Sequence, residues 1–296
     1  MKMIRRSTRA NKKGGARAKR PSARASGLSP ADLAAVYDEL PLWSAPFAAM
    51  LLEQVDLKDG LRFLDVGCAT GVPLLELAQR IHRHQAYGID PWAEALGRLR
   101  EKAAQLGVSG ITLKNAAAEK LPFAAGFFDL AVSNNGLNNV ADLPKALSEL
   151  ARVLKGGGRL VFTANLPETM HEYYDALRFA LRQAGRTDLD GAIEAHIASK
   201  RKPVDGWKKA LLDAGFKVEG VEKGRFFQYY SSAAALYSHS FIRQNFLPAW
   251  RELLPEALRE RILAAAGKRL DELAAVHRGV RLTIPMACFV ASKQGG

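Results

Sequence analysis

A buried strand that runs into a glycine-bearing turn and then a helix constrains the fold of this chain more than any other stretch. Residues 61–66 form a short apolar run that contains Asp65, and Gly67 and Gly71 follow it. Apolar residues then recur at helical spacing up to Ile81. Glycines permit a tight turn and a close approach of backbone to a ligand, and the first amides of a helix point outward where the helix dipole is positive. The stretch therefore predicts a ligand cradle.

Strands and helices alternate from this stretch onward. Further strands are predicted, in chain order, at residues 86–90, 111–113, 127–133, 159–164, 216–222 and 281–292. Such alternation implies right-handed crossovers and a parallel sheet that is covered by helices on both faces. We therefore predict an α/β protein of three layers, with a seven-stranded, mostly parallel sheet.

The segments outside this core predict how the chain is divided. Residues 29–296 are expected to form one domain, preceded by a basic disordered tail at 1–28. Helical cap segments are expected within that domain at 29–55, 165–205 and 228–276.

Two local features carry expectations of their own. A helix from 143 to 154 is expected to end in a flexible glycine C-cap and turn at 155–158. Pro285 lies within the last predicted strand, where proline indicates an edge or a bulge because it cannot donate to the ladder.

The formal net charge of +13 belongs mostly to the amino-terminal residues. Residues 1–28 carry ten Lys or Arg and no acid, which leaves 33 basic against 30 acidic residues in the remainder. Few large apolar side chains are present there to offset the entropy of ordering. Three interpretations are compatible with this tail: a solvated extension, an electrostatic arm for RNA, DNA or an acidic partner, and a mitochondrial transit peptide. Nucleic acid is expected as a partner only through this tail.

The remaining composition is that of a soluble globular protein. No apolar run approaches the roughly 20 residues of a membrane span, and the amino terminus lacks the apolar core of a secretory signal. Cys68 and Cys288 are the only cysteines, so neither a disulfide framework nor a cysteine-based metal site is indicated. A cytoplasmic location is expected, and the oligomeric state is left open.

The second predicted strand ends on Asp90, 25 residues beyond Asp65. In a βαβ unit that binds a nucleoside, an acid at this point accepts both hydrogen bonds of a ribose diol. A dinucleotide fingerprint would require glycines at positions 69 and 72, where this chain has Ala69 and Val72. A dehydrogenase is therefore disfavoured.

The residues from Asp65 to Gly71 resemble the first motif of the class I S-adenosylmethionine-dependent methyltransferases. Further motifs of that family are matched, in order, at 88–90, 119–123, 128–129, 150–160 and 214–216. The resemblance spans roughly 37–222 and is closest to the small-molecule branch that includes quinone-biosynthesis C-methyltransferases. It implies a Rossmann-like methyltransferase fold, S-adenosyl-L-methionine as cofactor with S-adenosyl-L-homocysteine as product, and transfer to a small, apolar or aromatic acceptor by in-line displacement.

The resemblance also implies which residues bind the cofactor: Tyr37, Asp65, Gly67, Cys68, Gly71, Asp90, Trp92, Ala118, Glu119, Ser133 and Asn134. Carbonyls near Gly67 would meet the cofactor's ammonium, and Asp65 would hold the loop from behind or bond through water. Asp90 would take the ribose hydroxyls. Trp92 would contact adenine, and the Ala118 amide would meet the adenine ring.

Ser133 or Asn134 would lie near the methionine end, at the end of the fourth predicted strand. Tyr37 has two interpretations, core packing or a place in the lining of a cofactor or substrate pocket.

Three positions depart from the family pattern. Ala69 stands where the family usually has glycine, which is tolerable only if the residue does not need a positive φ. Ala117 stands where an acid often recognises the adenine amino group, for which Asn115 or Glu119 are candidate substitutes. Gly156 replaces the usual proline of the later turn.

Methyl transfer needs positioning and the exclusion of water, together with a base where the acceptor must lose a proton. His171 is the first candidate for this base and His239 the second, since imidazole titrates near neutral pH. Aromatic residues of the cap segments are candidates for an apolar acceptor pocket: Tyr173, Tyr174, Tyr229, Tyr230 and Tyr237. Two alternatives stay open, namely an RNA or protein acceptor recruited by the basic tail, and an inactive protein that binds S-adenosylmethionine.

Overall fold

A computed structural model describes residues 29–37, 42–275 and 278–295. The basic tail predicted at 1–28 lies outside these residues, as do residues 38–41 of the first cap segment and position 276 of the last. None of the helices within the described ranges combines the length and the apolar character that a membrane span requires.

The sheet has seven strands in the order β3-β2-β1-β4-β5-β7-β6. They are β1 (Arg62–Val66), β2 (Gln85–Ile89), β3 (Ile111–Lys114), β4 (Phe128–Asn134), β5 (Leu154–Asn165), β6 (Phe216–Tyr230) and β7 (Val280–Lys293). Strands β1 to β5 pair in parallel, and β7 inserts antiparallel between β5 and β6. The predicted seven-stranded, mostly parallel α/β fold is confirmed.

Twelve α-helices of the described residues cover the sheet and build the cap. They are α1 (Pro30–Tyr37), α2 (Ser44–Gln54), α3 (Val72–Arg80), α4 (Ala93–Gln105), α5 (Leu143–Val153), α6 (His171–Gln183), α7 (Asp190–Lys200), α8 (Val204–Asp213), α9 (Ala233–Ser238), α10 (Ser240–Asn245), α11 (Leu247–Glu252) and α12 (Arg259–Ala274). Helix α6 lies within the predicted cap segment 165–205, and its buried residues follow a helical period along its length.

Alternating side chains of the strands divide the interior into two layers. Along β1, Phe63 lies in the core on the side of α3, α4 and α6, whereas Leu64 lies in the core on the side of α5 and α8. Along β5, Val161 belongs to the first layer and Phe162 to the second. This period of two follows from the pleat, and burial on both faces requires helices on both sides.

The predicted glycine C-cap at 155–158 is wrong. Helix α5 ends at Val153, and Leu154 is already extended, with φ −74° and ψ 144°. The glycines lie within β5, where the pairing with β4 shifts between Phe128 and Leu130. The segment is therefore an irregularity in the pairing of β5 with β4. The chain becomes extended directly after the helix because it pairs there with β4.

The sixth strand is longer than the predicted 216–222. It pairs with β7 as far as Tyr230 opposite Val280, whereas β5 pairs with β7 only as far as Asn165 opposite Met286. Beyond that point β6 and β7 form a two-stranded ribbon, which extends past the carboxyl end of β5. The predicted cap segment 228–276 therefore begins in a strand, and its helices start at α9.

Pro285 lies where the ribbon leaves β5. Strand β7 is an inner strand and has no register shift at this residue, so the predicted bulge is wrong. The Pro285 carbonyl accepts from the Leu166 amide (3.0 Å), one residue beyond the end of β5. The proline nitrogen, which has no hydrogen to donate, therefore faces the side on which β5 has just ended. No hydrogen bond between β5 and β7 is lost there.

The loops after β1 and β4 meet through glycine backbones. A Cβ on Gly67 would lie 3.0 Å from the Gly136 Cα, and a Cβ on Gly136 would lie 2.4 Å from the Val66 carbonyl oxygen. The Ser133 hydroxyl donates to this same carbonyl (2.7 Å) and accepts from the Leu137 amide (3.2 Å). These contacts hold the two loops together at the carboxyl edge of the sheet, where open α/β folds bind ligands.

We expect Gly136→Ala to lower the free energy of unfolding by about 1–3 kcal/mol, because the added methyl group has no room beside the Val66 carbonyl. Gly97→Ala is the control, since nothing lies within 4 Å of a Cβ at this position inside α4. The control is expected to raise stability by about 0.5–1 kcal/mol. Urea denaturation of both variants measures the difference, and a Gly136→Ala protein as stable as the wild type would contradict the described contact.

Candidate functional site

The loop between β1 and α3 is held by the end of β2. The amides of Gly67 and Cys68 both donate to the Ile89 carbonyl, at 2.9 and 3.0 Å, and the Gly71 amide donates to the Cys68 carbonyl (2.7 Å). Gly67 and Gly71 have φ values of +75° and +99°, which glycine adopts without strain. The predicted turn of strand, glycine loop and helix is therefore present.

Asp90 closes this loop from the second strand. Its carboxylate accepts from the Ala69 amide (2.9 Å) and, through the other oxygen, from the Trp92 amide (2.8 Å). The residue is 8% exposed at the carboxyl edge. A carboxylate has about four acceptor positions, so holding two amides is compatible with accepting a diol as well.

Ala69 adopts the left-handed conformation, with φ +42°. Alanine would be tolerated without cost only at a negative φ, and Ala69 does not meet this condition. The substitution leaves the turn in place because the Ala69 amide is bonded to Asp90, and the strain of a Cβ in this region is on the order of 1–2 kcal/mol.

Asp65 lies directly beneath the loop and is fully buried. Neither of its carboxylate oxygens has a partner at full hydrogen-bond geometry. Burial, and secondly the charge of Asp90, raise the pKa of Asp65 to about 8, while the Leu74 amide acts weakly in the opposite direction. The carboxyl group is therefore mostly protonated at neutral pH.

The Cys68 thiol points away from the cradle. Its sulfur lies 2.9 Å from the place where a Cβ on Gly88 would stand, and the side chain is 2% exposed. Burial raises the pKa of this thiol well above its usual range. Cys68 can therefore face a ligand only with its backbone.

Trp92 and Tyr37 pack against each other between α1 and α4. Their rings meet edge to face at 5.3 Å, and Trp92 is 7% exposed in a small core with Leu33, Ala34 and Ala95. Packing of α1 onto α4 accounts for the burial of Trp92, which lies two residues beyond Asp90.

The residues considered for adenine are largely engaged elsewhere. The Asn115 side chain donates to the Asp90 carbonyl (3.0 Å). The Glu119 carboxylate accepts from the amides of Ala141 and Asp142, at 2.7 and 3.1 Å, and so anchors the segment that leads into α5. Ala118 is 7% exposed between these two positions.

Ser133 and Asn134 lie at the carboxyl end of β4. Ser133 is fully buried, with its hydroxyl between the loops after β1 and β4. The Asn134 side chain donates to the Ser44 carbonyl (3.1 Å) and accepts from the Thr163 hydroxyl (2.8 Å). Asn134 therefore attaches the start of α2 to the carboxyl edge.

A cluster of amide side chains continues from Asn134 and was not predicted as a unit. Asn138 donates to the side-chain oxygens of Asn135 and Asn165, both at 2.8 Å. Asn135 Nδ2 and Asn138 Oδ1 are buried and have no partner. We call Asn135, Asn138 and Asn165 the amide cluster. It offers one unmatched donor and one unmatched acceptor at the carboxyl edge.

The two candidate bases lie on the surface of the cap. His171 is the first residue of α6, half exposed, with Nδ1 3.6 Å from the Glu172 carboxylate. His239 is exposed, and its ring meets that of Tyr230 edge to face at 5.4 Å. Glu172 in turn accepts from the Thr283 amide (2.9 Å), which ties the start of α6 to the ribbon of β6 and β7.

Aromatic side chains from two cap segments and from strand β6 meet above the carboxyl edge. Trp43 contacts the rings of Phe47, Phe226, Phe241 and Phe246 at centroid distances of 5.2 to 6.1 Å. We call these five residues the aromatic cap. Trp43 lies next to Ser44, whose carbonyl Asn134 holds, so the cap is attached to the end of β4.

The predicted pocket tyrosines divide into three groups. Tyr173 and Tyr174 are buried in the core of the cap, and Tyr230 is 8% exposed. Tyr237 is partly buried and donates to the Leu263 carbonyl (3.2 Å). Tyr229 is 59% exposed on the ribbon, on a face away from the core.

Comparison with known proteins relates these features to a family. Residues 64–162 match the model described as a methyltransferase domain, Methyltransf_11. The ubiquinone/menaquinone biosynthesis C-methyltransferase UbiE of Geobacter sp. strain M21 is 36% identical over 177 residues, 56% of this chain and 74% of that relative. The 2-phytyl-1,4-naphtoquinone methyltransferase of Trichormus variabilis is 36% identical over 130 residues, 42% of this chain and 57% of that relative. The chain thus spans less than two thirds of the second relative's length.

Solved structures share the fold. The YcgJ protein of Bacillus subtilis superimposes with a TM-score of 0.59 at 17% identity, over 85% of this chain and all of that one. A relative that is 36% identical over most of its own length, together with the matched domain, shows that the chain belongs to the class I S-adenosylmethionine-dependent methyltransferases, enzymes that take their methyl group from that cofactor.

Proposed function

We propose that this enzyme transfers the methyl group to a small acceptor with an apolar or aromatic body, held between the carboxyl edge of the sheet and the aromatic cap. The observation that carries the proposal is the meeting of Trp43 with four phenylalanine rings above the end of β4. Such a surface favours an apolar molecule and excludes water from it. The names of the two quinone-related relatives fit this class of acceptor.

The residues around the loop after β1 fit the cofactor. Gly67 and Gly71 carry no side chain and have φ values of +75° and +99°, so the backbone of this loop can approach a ligand closely. Asp90 presents a carboxylate at the end of β2, and we assign it the ribose hydroxyls. When bound, S-adenosylmethionine supplies an electrophilic methyl group on a cationic sulfur.

Several cofactor contacts proposed from the resemblance are better described as support. Ser133 joins the two loops, Glu119 anchors the entry to α5, and the Cys68 thiol packs behind the loop. We propose that these three side chains position the cradle, and that backbone groups of Gly67, Cys68 and Ala118 face the cofactor.

We assign the orientation of the acceptor to the amide cluster. Asn135 Nδ2 can donate to an oxygen of the acceptor, and Asn138 Oδ1 can accept from a hydroxyl. Both groups lie beside β4, whose carboxyl end adjoins the loop after β1. Leaving them unpaired costs free energy, which an oxygen-bearing acceptor would recover.

Asp90→Asn is expected to weaken S-adenosylmethionine binding by about 10- to 100-fold, because the charged acceptor of the ribose hydroxyls is lost. Isothermal titration calorimetry measures the affinity. The matched control is Asp213→Asn, which removes an exposed carboxylate that pairs with Lys209. An unchanged affinity in Asp90→Asn would contradict the assignment of Asp90.

Asp65 predicts a pH dependence of stability. Its pKa is about 8 in the folded protein against 3.8 as the ordinary value, so between these values the folded state binds the extra proton and stability falls as pH rises. Asp65→Asn replaces the carboxyl group with an amide that does not titrate. The loss of stability that the substitution itself causes is therefore the same at every pH. The stability of the variant should therefore rise relative to wild type by on the order of 1 kcal/mol per pH unit.

Urea denaturation between about pH 5 and pH 7 tests this relation. Asp213→Asn serves again as the control, with a curve that runs parallel to that of the wild type. If the Asp65→Asn curve is also parallel to the wild-type curve, Asp65 is ionised in the folded protein.

Methyl transfer itself is tested by incubating the enzyme with S-adenosylmethionine and a pool of small metabolites. Mass spectrometry should detect an apolar or aromatic compound that gains one methyl group. Activity should survive deletion of residues 1–28, whereas a macromolecular acceptor recruited by the tail would lose it. A protein that binds the cofactor but yields no S-adenosylhomocysteine would contradict the proposal.

The same assay tests the proposed base. We expect His171→Ala to lower kcat by about 10²- to 10⁴-fold without weakening cofactor binding, because a half-exposed imidazole beside the end of β5 can accept a proton from the acceptor. His239→Ala is the comparison and should change kcat much less, because that ring packs against Tyr230. Equal rates in wild type and His171→Ala would exclude this histidine as the base.

A further inference from the structure

Among the residues that the structure describes, one guanidinium is buried in the cap without a counter-ion. Arg201 follows α7 and is 4% exposed, and its Nε and Nη1 atoms have no hydrogen-bond partner. Within residues 29–37, 42–275 and 278–295 it forms no ion pair with a carboxylate. Its central carbon lies 5.4 Å from the centroid of the Tyr174 ring, the aromatic face beneath it.

Tyr174, the ring against this cation, belongs to a group of buried aromatic side chains. Trp250 Nε1 donates to the Tyr174 hydroxyl (3.3 Å), and the Trp250 ring stacks on that of Tyr173 at 3.6 Å. The Tyr173 hydroxyl is fully buried and has no partner either. We call Tyr173, Tyr174, Arg201 and Trp250 the arginine cluster. It holds one positive charge and several unused donors.

The free-energy cost of burying this guanidinium would be reduced by a bound anion. A desolvated guanidinium is strongly disfavoured unless it is paired and hydrogen-bonded. A cation–π contact with one tyrosine recovers only part of that cost. Burial accordingly lowers the pKa of Arg201, and Tyr174 is the group that opposes the shift.

The arginine cluster adjoins the aromatic cap. Tyr173 and Tyr174 are in the first turn of α6, whose start is joined to the ribbon by a bond from the Met170 amide to the Thr283 carbonyl (2.8 Å). Trp250 of the cluster meets Phe246 of the aromatic cap, with ring centroids 5.8 Å apart. The arginine cluster therefore adjoins the surface that we propose for the acceptor.

We infer that Arg201 binds a carboxylate of the methyl acceptor, which makes the acceptor an apolar or aromatic carboxylic acid. This inference rests on the proposed function of the site. One unpaired positive charge matches the single negative charge of a carboxylate more closely than a phosphate, which carries between one and two charges at neutral pH. The surrounding rings match an apolar body attached to that group.

The binding test uses Arg201→Met, which keeps the volume but removes the charge. Benzoate, cinnamate and octanoate are titrated into wild type and variant, and binding is followed by thermal shift and calorimetry. We expect at least one carboxylate to bind wild type and to lose about tenfold or more in affinity in the variant. Benzyl alcohol, a neutral probe, and inorganic phosphate, a more highly charged anion, should bind without dependence on Arg201.

Stability separates this role from a structural one. Because the charge has no carboxylate partner among the described residues, Arg201→Met should unfold in urea at the same or a higher concentration than wild type. Arg186→Met is the matched control, since Arg186 pairs on the surface with Asp188. A clear loss of stability in Arg201→Met would show that the guanidinium is satisfied within the protein and would overturn the inference.

The remaining outcomes are equally decisive. If none of the carboxylates binds in an Arg201-dependent manner, or if phosphate binds as well as they do, the carboxylate assignment is wrong. Arg201→Met should retain wild-type affinity for S-adenosylmethionine, because Arg201 lies in the cap. These binding measurements need no turnover, so their failure is distinguishable from a failure of the proposed methyl transfer.

Discussion

The site depends on one set of hydrogen bonds at the end of β2. The Ile89 carbonyl and the Asp90 carboxylate together hold three successive amides of the loop after β1, those of Gly67, Cys68 and Ala69. Because the strands are parallel neighbours, the end of one strand shapes the loop that leaves the other. The carboxylate that we assign to the ribose is thus also the group that keeps Ala69 in a left-handed conformation.

Local sequence features predicted the conformation of this loop well. One strand-turn-helix-strand unit contains Gly67, Gly71 and Asp90, and the spacing along the chain determines which of its residues come into contact. The fold of seven strands was predicted from the same alternation of strands and helices. Where a role depends on a distant partner, prediction from sequence was weaker. Glu119 bonds to amides beyond β4, and Ser133 bonds to the loop after β1, and neither partner can be identified from neighbours along the chain.

The cap was the least predictable part for the same physical reason. The length of β6 is set by its pairing with β7, a strand that lies far along the sequence, and a propensity argument cannot detect that pairing. Arg201 has no sequence signal at all, because a lone arginine is normally a surface residue. Its burial results from how α6, α7 and α11 pack around Tyr174 and Trp250.

The insertion of β7 between β5 and β6 has a consequence for how the enzyme is made. Glu172 at the start of α6 bonds to Thr283, 111 residues later, so the cap cannot close over the carboxyl edge until β7 has been synthesised and inserted. Closure of such a long loop is slow compared with formation of the local β1 to β4 units. A nascent chain can therefore form the loop between β1 and α3 early, whereas the cap is joined to the ribbon only in one of the last events of folding.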